Sequence, residues 1–332
     1  MITQTYSRTL LTALLWAFSA AAFAEPSLDA DSTPPSWNSS RSFSDLGRPR
    51  DQLLLGIRNA EQVEFRLRHD RIATAATLHL DYTPSPALIP VLSHLRVYLN
   101  DELMGTLPIT QEQIGQRVRQ ELALDPRLLG DFNRVRIEFV GHYSDVCEDP
   151  AHSGLWLNLG RQSRVSLHEQ ALDVTGDLAW FPLPFFDERD TQQLNLPVVF
   201  TGTPTLGEQR AAGILSSYFG SLAAWRSATF PVLFDALPST QERPQPALVF
   251  ATNDRRPSFL AEHPAAEGPT VELIDHPQDR YSKLLLISGR NDDDLVAAAT
   301  ALALDRGQLR GNRVRLEQVE PPARKPYDAP NW

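Results

Sequence analysis

EFVGHYSDVCEDPAHSGLWLNLGRQSRVSLHEQALDVTGDLAWFPLPFFD, residues 138–187, is the stretch across which the pattern of the chain changes. The stretch holds the only cysteine, Cys147, and two of the six tryptophans, Trp156 and Trp180. Short alternating strands are predicted before it, and strands alternating with helices after it. It therefore predicts the junction of two domains. We place the first domain at residues 45–190 and the second at residues 191–319.

The first half of the chain has the period of half-buried strands. In residues 63–67, Val63, Phe65 and Leu67 alternate with polar residues. Asn100 and Asp101 separate two apolar runs and form a two-residue turn of types that tolerate positive φ, which predicts a hairpin. Further strands are predicted at 53–57, 75–82, 95–99, 102–109, 118–122 and 135–140. Short strands without helices between them predict a jelly-roll-like β-sandwich.

The second half changes to strand and helix units. Strands are predicted at 194–200, 230–234, 247–251, 270–274 and 284–288, and helices at 206–224 and 291–304. Asn291 is a good N-cap, and the acidic residues 292–294 follow it in the first turn, where the helix dipole favours negative charge. This alternation predicts a flavodoxin-like, doubly wound α/β domain.

The two ends of the chain have their own composition. Residues 1–24 combine Arg8, an apolar run and a small-x-small cleavage pattern before Glu25, which predicts a secretory signal peptide. Residues 25–44 contain few branched apolar side chains and predict a disordered leader. Residues 320–332 contain four prolines and predict a linker. We therefore expect export from the cytoplasm.

Charge and motif spacing exclude several functions. The 31 basic and 41 acidic residues give a net charge of −10, which argues against a nucleic-acid surface. Residues 202–207 have the spacing of a phosphate loop, but Glu208 stands where lysine is required. His142, Cys147 and His152 are a weak alternative as metal ligands, and we expect no metal, no cofactor and no enzyme activity. Cys147 is predicted to be free, or paired with another chain, and buried at a strand end.

Aromatic and acidic side chains remain as candidates for recognition. Trp156 and Trp180 are the predicted glycan contacts, because indole rings stack on the apolar faces of sugars, and core packing is the alternative for both. Tyr82 and Tyr98 lie on predicted strands. The acidic residues 187, 188 and 190 suggest a glycosidase pair, or more simply a solvated acidic turn.

Three motifs carry a resemblance to a known family. HYSDVCEDP (142–150), SGLWLNLG (153–160) and DLAWFPLPFFD (177–187) together resemble the periplasmic B subunit of bacterial cellulose synthase, the cyclic di-GMP-binding or regulatory subunit. The resemblance implies a non-catalytic accessory subunit, with carbohydrate-binding-like and flavodoxin-like modules and without flavin chemistry. Its expected partners are the catalytic subunit and the emerging β-1,4-glucan.

The resemblance also sets expectations for the whole protein. Family members continue into a second half with a C-terminal inner-membrane anchor, so we expect this chain to be the N-terminal half, with membrane association only through the missing anchor. We do not expect cyclic di-GMP binding, because that effector is cytoplasmic and these residues are predicted to be exported. The alternative functions are a secreted polysaccharide-active enzyme and a generic periplasmic scaffold protein.

Overall fold

The computed structural model of the chain describes residues 33–174, 176–238, 245–304 and 309–316. The predicted signal peptide at 1–24 and linker at 320–332 lie outside the described residues, as does the first part of the predicted leader. No helix in the described ranges is long and apolar enough to cross a membrane.

The first domain is a sandwich of two antiparallel sheets. The larger sheet has the order β1-β10-β4-β9-β2, with β7 also paired to β4, and the smaller has the order β3-β8-β5-β6. The strands are β1 Ser36–Ser42, β2 Gln52–Leu55, β3 Arg58–Arg66, β4 Arg71–Pro84, β5 His94–Leu99, β6 Glu102–Pro108, β7 Val118–Leu124, β8 Phe132–Val140, β9 Trp156–Leu159 and β10 Arg164–Ala171.

Alternation along the strands builds the core of the sandwich. In β5, Leu95, Val97 and Leu99 are fully buried and the residues between them are not, which is the pleated period of a strand with one face covered. Asn100 and Asp101 have φ values of 49° and 71°, and the β5–β6 hairpin turns on them. The predicted sandwich and its hairpin are both confirmed.

Strand β1 corrects the prediction of a disordered leader at 25–44 for the part of that range that the structure describes. It pairs with β10 over its whole length. The indole N–H of Trp37 donates to Glu169 at 3.2 Å, and the guanidinium of Arg71 lies 5.0 Å from the centre of the indole ring. Phe43, just after the strand, is buried in the core. An edge strand needs few apolar side chains when its backbone is paired, so composition alone misses it.

The second domain is built on a six-stranded sheet of order β14-β12-β15-β17-β16-β18. The strands β14, β12, β15 and β17 are parallel, and β16 runs antiparallel to both of its neighbours. The elements are β11 Leu194–Asn195, β12 Val198–Phe200, α1 Leu206–Ala223, β13 Ala228–Thr229, β14 Val232–Phe234, β15 Ala247–Thr252, β16 Thr270–His276, β17 Asp279–Gly289, α2 Asp292–Ala303 and β18 Arg313–Arg315.

Both helices of the described residues lie on one face of this sheet. Phe219 of α1 and Leu295 of α2 share one core cluster with Phe250 of β15. The opposite face, which includes Val249, is covered by Leu260 from a single 3-10 turn. The two predicted helices are confirmed. A doubly wound sheet has helices on both faces, but helices on the second face are not found in this part of the chain, and the antiparallel strand β16 makes the sheet mixed.

The second core begins earlier than predicted. Leu178, Phe185 and Phe186 are buried in the cluster that contains both helices, so this domain starts by Leu178 rather than at residue 191. Phe181 supports the same packing, because its ring stacks on Tyr218 with a centroid distance of 5.7 Å. The Pro-aromatic run therefore covers the helices instead of ending the sandwich.

Candidate functional site

The outer face of the larger sandwich sheet carries Trp156 within an exposed apolar patch. Leu157 of β9 faces the core, so its neighbours Trp156 and Asn158 project from the opposite face. Leu55 lies directly across from Trp156, and Leu53 across from Asn158. Both leucines are more than half exposed, and Trp156 is half-buried. A sugar ring can stack on such a patch through its apolar face.

A polar groove continues from this patch across β4 and β7. The carboxylate of Asp81 accepts hydrogen bonds from Nε and Nη2 of Arg117 at 2.7 and 2.5 Å. These bonds lower the pKa of Asp81 and outweigh the effect of its burial. The backbone N–H of Gly160 donates to the carbonyl of Asp81 at 2.7 Å. A Cβ at Gly160 would lie 3.0 Å from that oxygen, so glycine allows this close approach without displacing the neighbouring backbone.

Two adjoining cavities open along the groove. Their volumes are about 390 and 340 Å³, and both are lined by Asp81, Arg117 and Gln162. Asn158 lines one of them and lies on the same face of β9 as Trp156. The two linings together contain four arginines and three carboxylates. The groove is therefore strongly polar but close to neutral.

Trp180, the second predicted glycan contact, lies in the second domain. It ends a 3-10 turn, Leu178–Trp180, and is 61% exposed. Its ring stacks on His69 of the sandwich with a centroid distance of 6.4 Å and an interplanar angle of 28°. The two candidate tryptophans thus lie on different domains, and the structure does not bring them together in one platform.

The remaining aromatic candidates divide between core and surface. Tyr82 is buried and donates its hydroxyl to Gln120 at 2.9 Å, so it is a core residue. The guanidinium of Arg136 lies over the ring of Tyr98, 3.8 Å from the ring centre. Trp225 is 78% exposed, but it has no neighbouring sequence signal that distinguishes it from a core tryptophan.

Two of the three acidic residues after the Pro-aromatic run are structural, which corrects the prediction of a solvated turn for those two, whereas Glu188 is exposed. Asp187 is buried and accepts the backbone N–H of His69 at 2.7 Å. Asp190 pairs with Arg68 at 3.0 Å, and Arg68 also contacts Asp70 at 2.9 and 2.6 Å. Burial alone would raise the pKa of Asp70, but Arg68 holds it at about 2. These charges join the sandwich to the second domain.

The HYSDVCEDP loop is organised by Glu148. Its carboxylate accepts the backbone N–H of Tyr143 at 2.7 Å and contacts the imidazole of His142 at 2.7 Å. Cys147 is exposed, so the prediction that it is buried is wrong. The loop folds around the carboxylate of Glu148, the residue after Cys147, and leaves the Cys147 thiol at the surface. In the described ranges, no cluster of three or more His, Cys, Asp and Glu side chains is arranged to hold a metal.

The carboxyl ends of the parallel strands are filled by the chain's own side chains. Glu208 is fully buried and caps α1 reciprocally with Thr205, with hydrogen bonds of 2.8 and 3.1 Å. Arg255 neutralises Glu208 at 3.1 Å. A Cβ at Gly207 would lie 2.3 Å from Cβ of Asp292, so the starts of α1 and α2 are in contact. A carboxylate therefore occupies the helix start where doubly wound folds hold phosphate.

Comparison with known protein families accounts for both domains. The family model described as cellulose synthase BcsB, first CBM domain, matches residues 36–171. The model described as cellulose synthase BcsB, first FD domain, matches residues 177–316. The first range corresponds to the sandwich, and the second corresponds to the second domain, whose core begins by Leu178.

The chain belongs to the BcsB family. It is 49% identical over 300 residues to the cyclic di-GMP-binding protein of Escherichia coli K12, and the match covers 90% of this chain and 38% of that protein. The protein of the same name from Xanthomonas axonopodis pv. citri is 43% identical, over 87% of this chain and 36% of that protein.

A more distant relative carries a different name. The putative cellulose synthase 2 of Komagataeibacter xylinus is 29% identical, over 87% of this chain and 18% of that protein. The chain thus spans less than two fifths of the length of each of these three relatives.

Proposed function

We propose that this chain is a non-catalytic accessory part of a bacterial cellulose synthase and supports the synthesis and export of β-1,4-glucan. The observation that carries the proposal is the succession of the first CBM and first FD domains of BcsB along one chain. The relatives named for cyclic di-GMP and for cellulose synthase support the same assignment. The catalytic subunit and the emerging glucan are its proposed partners.

The glucan contact is proposed for the outer sandwich face around Trp156. The exposed leucines beside it and the polar groove that follows support this placement. Trp180 is retained as a second contact because most of its ring is accessible. A single stacked aromatic contributes about 1 kcal/mol, so we expect weak binding at each tryptophan.

The accessory role is proposed to be non-catalytic. A glycosidase needs two carboxyl groups about 5–10 Å apart across an accessible sugar. Asp187 and Asp190 are instead engaged by a backbone N–H and by Arg68. If the purified chain released reducing ends from β-glucans, the enzyme alternative would be correct.

The second domain is proposed to be a flavodoxin-like module without a cofactor. The neighbouring parallel strands β14, β12 and β15 stand in the order 2-1-3 with which the flavodoxin-like arrangement begins. Glu208 at the start of α1 argues against phosphate binding there. The module is therefore proposed to act through its surface.

The chain is proposed to work in the periplasm after removal of residues 1–24. N-terminal sequencing of the periplasmic protein should begin at Glu25, and a sequence that begins at Met1 would contradict export by cleavage. In this compartment the chain is not expected to meet cyclic di-GMP. Calorimetry should detect no binding of that nucleotide, and a tight complex would contradict this part of the proposal.

A genetic replacement tests the function itself. The matching region of the E. coli relative would be replaced by residues 33–316 of this chain in a cellulose-producing strain. We expect cellulose to be restored relative to a strain without the region. Loss of cellulose despite normal export and amount of the hybrid protein would reject the proposal.

A further inference from the structure

The outer face of the larger sandwich sheet combines three features that have separate physical causes. Trp156, Leu53 and Leu55 form an accessible apolar patch. The Asp81–Arg117 pair is the polar centre of a groove with two cavities. The cavities share their central lining residues, so the groove is continuous. Each volume lies within the roughly 300–1,000 Å³ typical of ligand clefts.

The register of the strands fixes the direction of the groove. The backbone N–H of Ser85 donates to the carbonyl of Trp156 at 3.0 Å, which places Trp156 opposite Ser85 of the chain that continues β4. At the other end, His79 is opposite both Glu121 of β7 and Arg164 of β10. From Ser85 to His79 the strand advances about 20 Å at roughly 3.3 Å per residue. That length accommodates several sugar rings in a row.

The charge of the lining selects the class of ligand. Four arginines face three carboxylates, so a polyanion would meet repulsion as well as attraction. A sugar hydroxyl both donates and accepts, and it can bond to an arginine and a carboxylate that stand side by side. Asp81 and Arg117 present this pairing at the centre of the groove. The lining therefore matches a neutral, hydroxyl-rich chain.

We infer that the groove from Trp156 to Arg119 binds a single neutral glucan chain lengthwise, with one ring stacked on Trp156 and the following rings hydrogen-bonded along Asp81, Arg117 and Gln162. This inference rests on the proposed function for the identity of the glucan. It goes beyond that function because it assigns an extended polar subsite. Arg119 is 77% exposed and lies 3.8 Å from Asp81, which leaves its guanidinium free to turn toward a ligand.

Titration of the purified 332-residue chain with cellohexaose, followed by NMR, tests the site. Trp156→Ala should weaken binding about five- to tenfold, since one stacked ring is lost. Arg119→Ala and Gln162→Ala should each weaken it about two- to fivefold. The affinity should also rise from cellobiose to cellohexaose, because the longer chain reaches the polar subsite.

Matched controls separate the groove from the rest of the surface. Trp225→Ala removes a tryptophan that is 78% exposed on the second domain. Arg127→Ala removes an arginine that is 87% exposed and bonded to Asp125 much as Arg117 is to Asp81. Both controls should bind cellohexaose as the unchanged chain does, and the thermal midpoints of all variants should verify that they fold.

Three outcomes would overturn the inference. The first is no detectable binding of cellohexaose. The second is binding that the groove variants leave unchanged. The third is tighter binding of an oligogalacturonate than of cellohexaose, since it would make the ligand anionic. Cellulose production by the hybrid strain is measured independently, so failure of the groove with cellulose restored rejects only the groove.

Discussion

At the scale of single residues, Arg68 joins the two domains. Its guanidinium contacts Asp70 of the sandwich, Asp190 of the second domain and the carbonyl oxygen of Pro184 at 3.0 Å. Its side chain is 11% exposed. A charge held at this depth requires all of its partners, because an unpaired buried charge is costly.

Loss of Arg68 should therefore destabilise the chain strongly. Arg68→Met removes the positive charge from between Asp70 and Asp190, and we expect the free energy of unfolding to fall by about 3–5 kcal/mol. Urea denaturation measures this value. Arg127→Ala, at an exposed pair that solvent screens, should leave stability close to that of the unchanged chain. An effect of Arg68→Met as small as that of the control would contradict the role of Arg68 in the junction.

The same carboxylates make stability depend on pH. The pKa of Asp70 is about 2 in the folded chain and 3.8 without the fold, and the pKa of Asp190 is also lowered. A depressed folded pKa contributes stability that is present above the unfolded pKa and is lost as pH falls through the folded pKa. Stability should therefore fall between about pH 4 and pH 2. Arg68→Met should flatten this fall, and an unchanged slope would contradict the assignment.

At the scale of elements, the sequence predicted those features that depend on a few neighbouring residues, such as a turn and a helix cap. Asn100 and Asp101 tolerate positive φ, so the hairpin was readable from two residues. Asn291 caps α2 as predicted, because its side-chain oxygen accepts the backbone N–H of Asp294 at 3.1 Å. Strand β1 was missed because it is formed largely by backbone pairing with β10 and not by an apolar period of its own. Strands β9 and β10 were also missed, although apolar residues alternate along both.

The cap of α2 can be tested by one substitution. Asn291→Ala removes the side chain that accepts the backbone N–H of Asp294 in the cap, and we expect the free energy of unfolding to fall by about 1 kcal/mol. Asn291→Ser retains an acceptor and should stay within a few tenths of a kcal/mol of the unchanged chain. Equal losses in both variants would show that the side chain stabilises something other than the helix start.

The candidate site was only partly predictable for a similar reason. Trp156 was identified from its residue type and from the resemblance. The polar groove beside it was not predicted, because its lining depends on which residues of β4 and β7 lie opposite each other. The pairing of Asp81 with Arg119 and the reach of Arg117 to Asp81 follow from strand register, which the local pattern does not determine. The burial of Asp187 likewise depends on contacts with a loop about 120 residues earlier.

At the scale of the whole molecule, the junction is packed. The described residues from Pro34 onward belong to one compact unit. The change from alternating strands to strand and helix units near residue 190 predicts two cores that proteolysis would separate between about residues 176 and 194. The structure instead buries Leu178, Phe185 and Asp187 in this segment. The two domains are therefore joined through a core segment and a set of buried charges.

Limited proteolysis distinguishes these two descriptions of the junction. Because the segment is packed, cleavage within 176–194 should be slow in the native chain. Arg68→Met should accelerate it by loosening the contact with Asp190. Rapid cleavage of the unchanged chain at this segment would contradict the packed junction.

Glucan synthesis in membrane vesicles measures the contribution that we propose for this chain. Vesicles with the catalytic subunit and the hybrid B subunit that carries residues 33–316 would be supplied with UDP-glucose, and insoluble β-glucan would be quantified. We predict synthesis close to that with the unmodified relative, and reduced synthesis with Trp156→Ala. Synthesis no higher than that of vesicles without any B subunit, with the hybrid present in normal amount, would contradict the account.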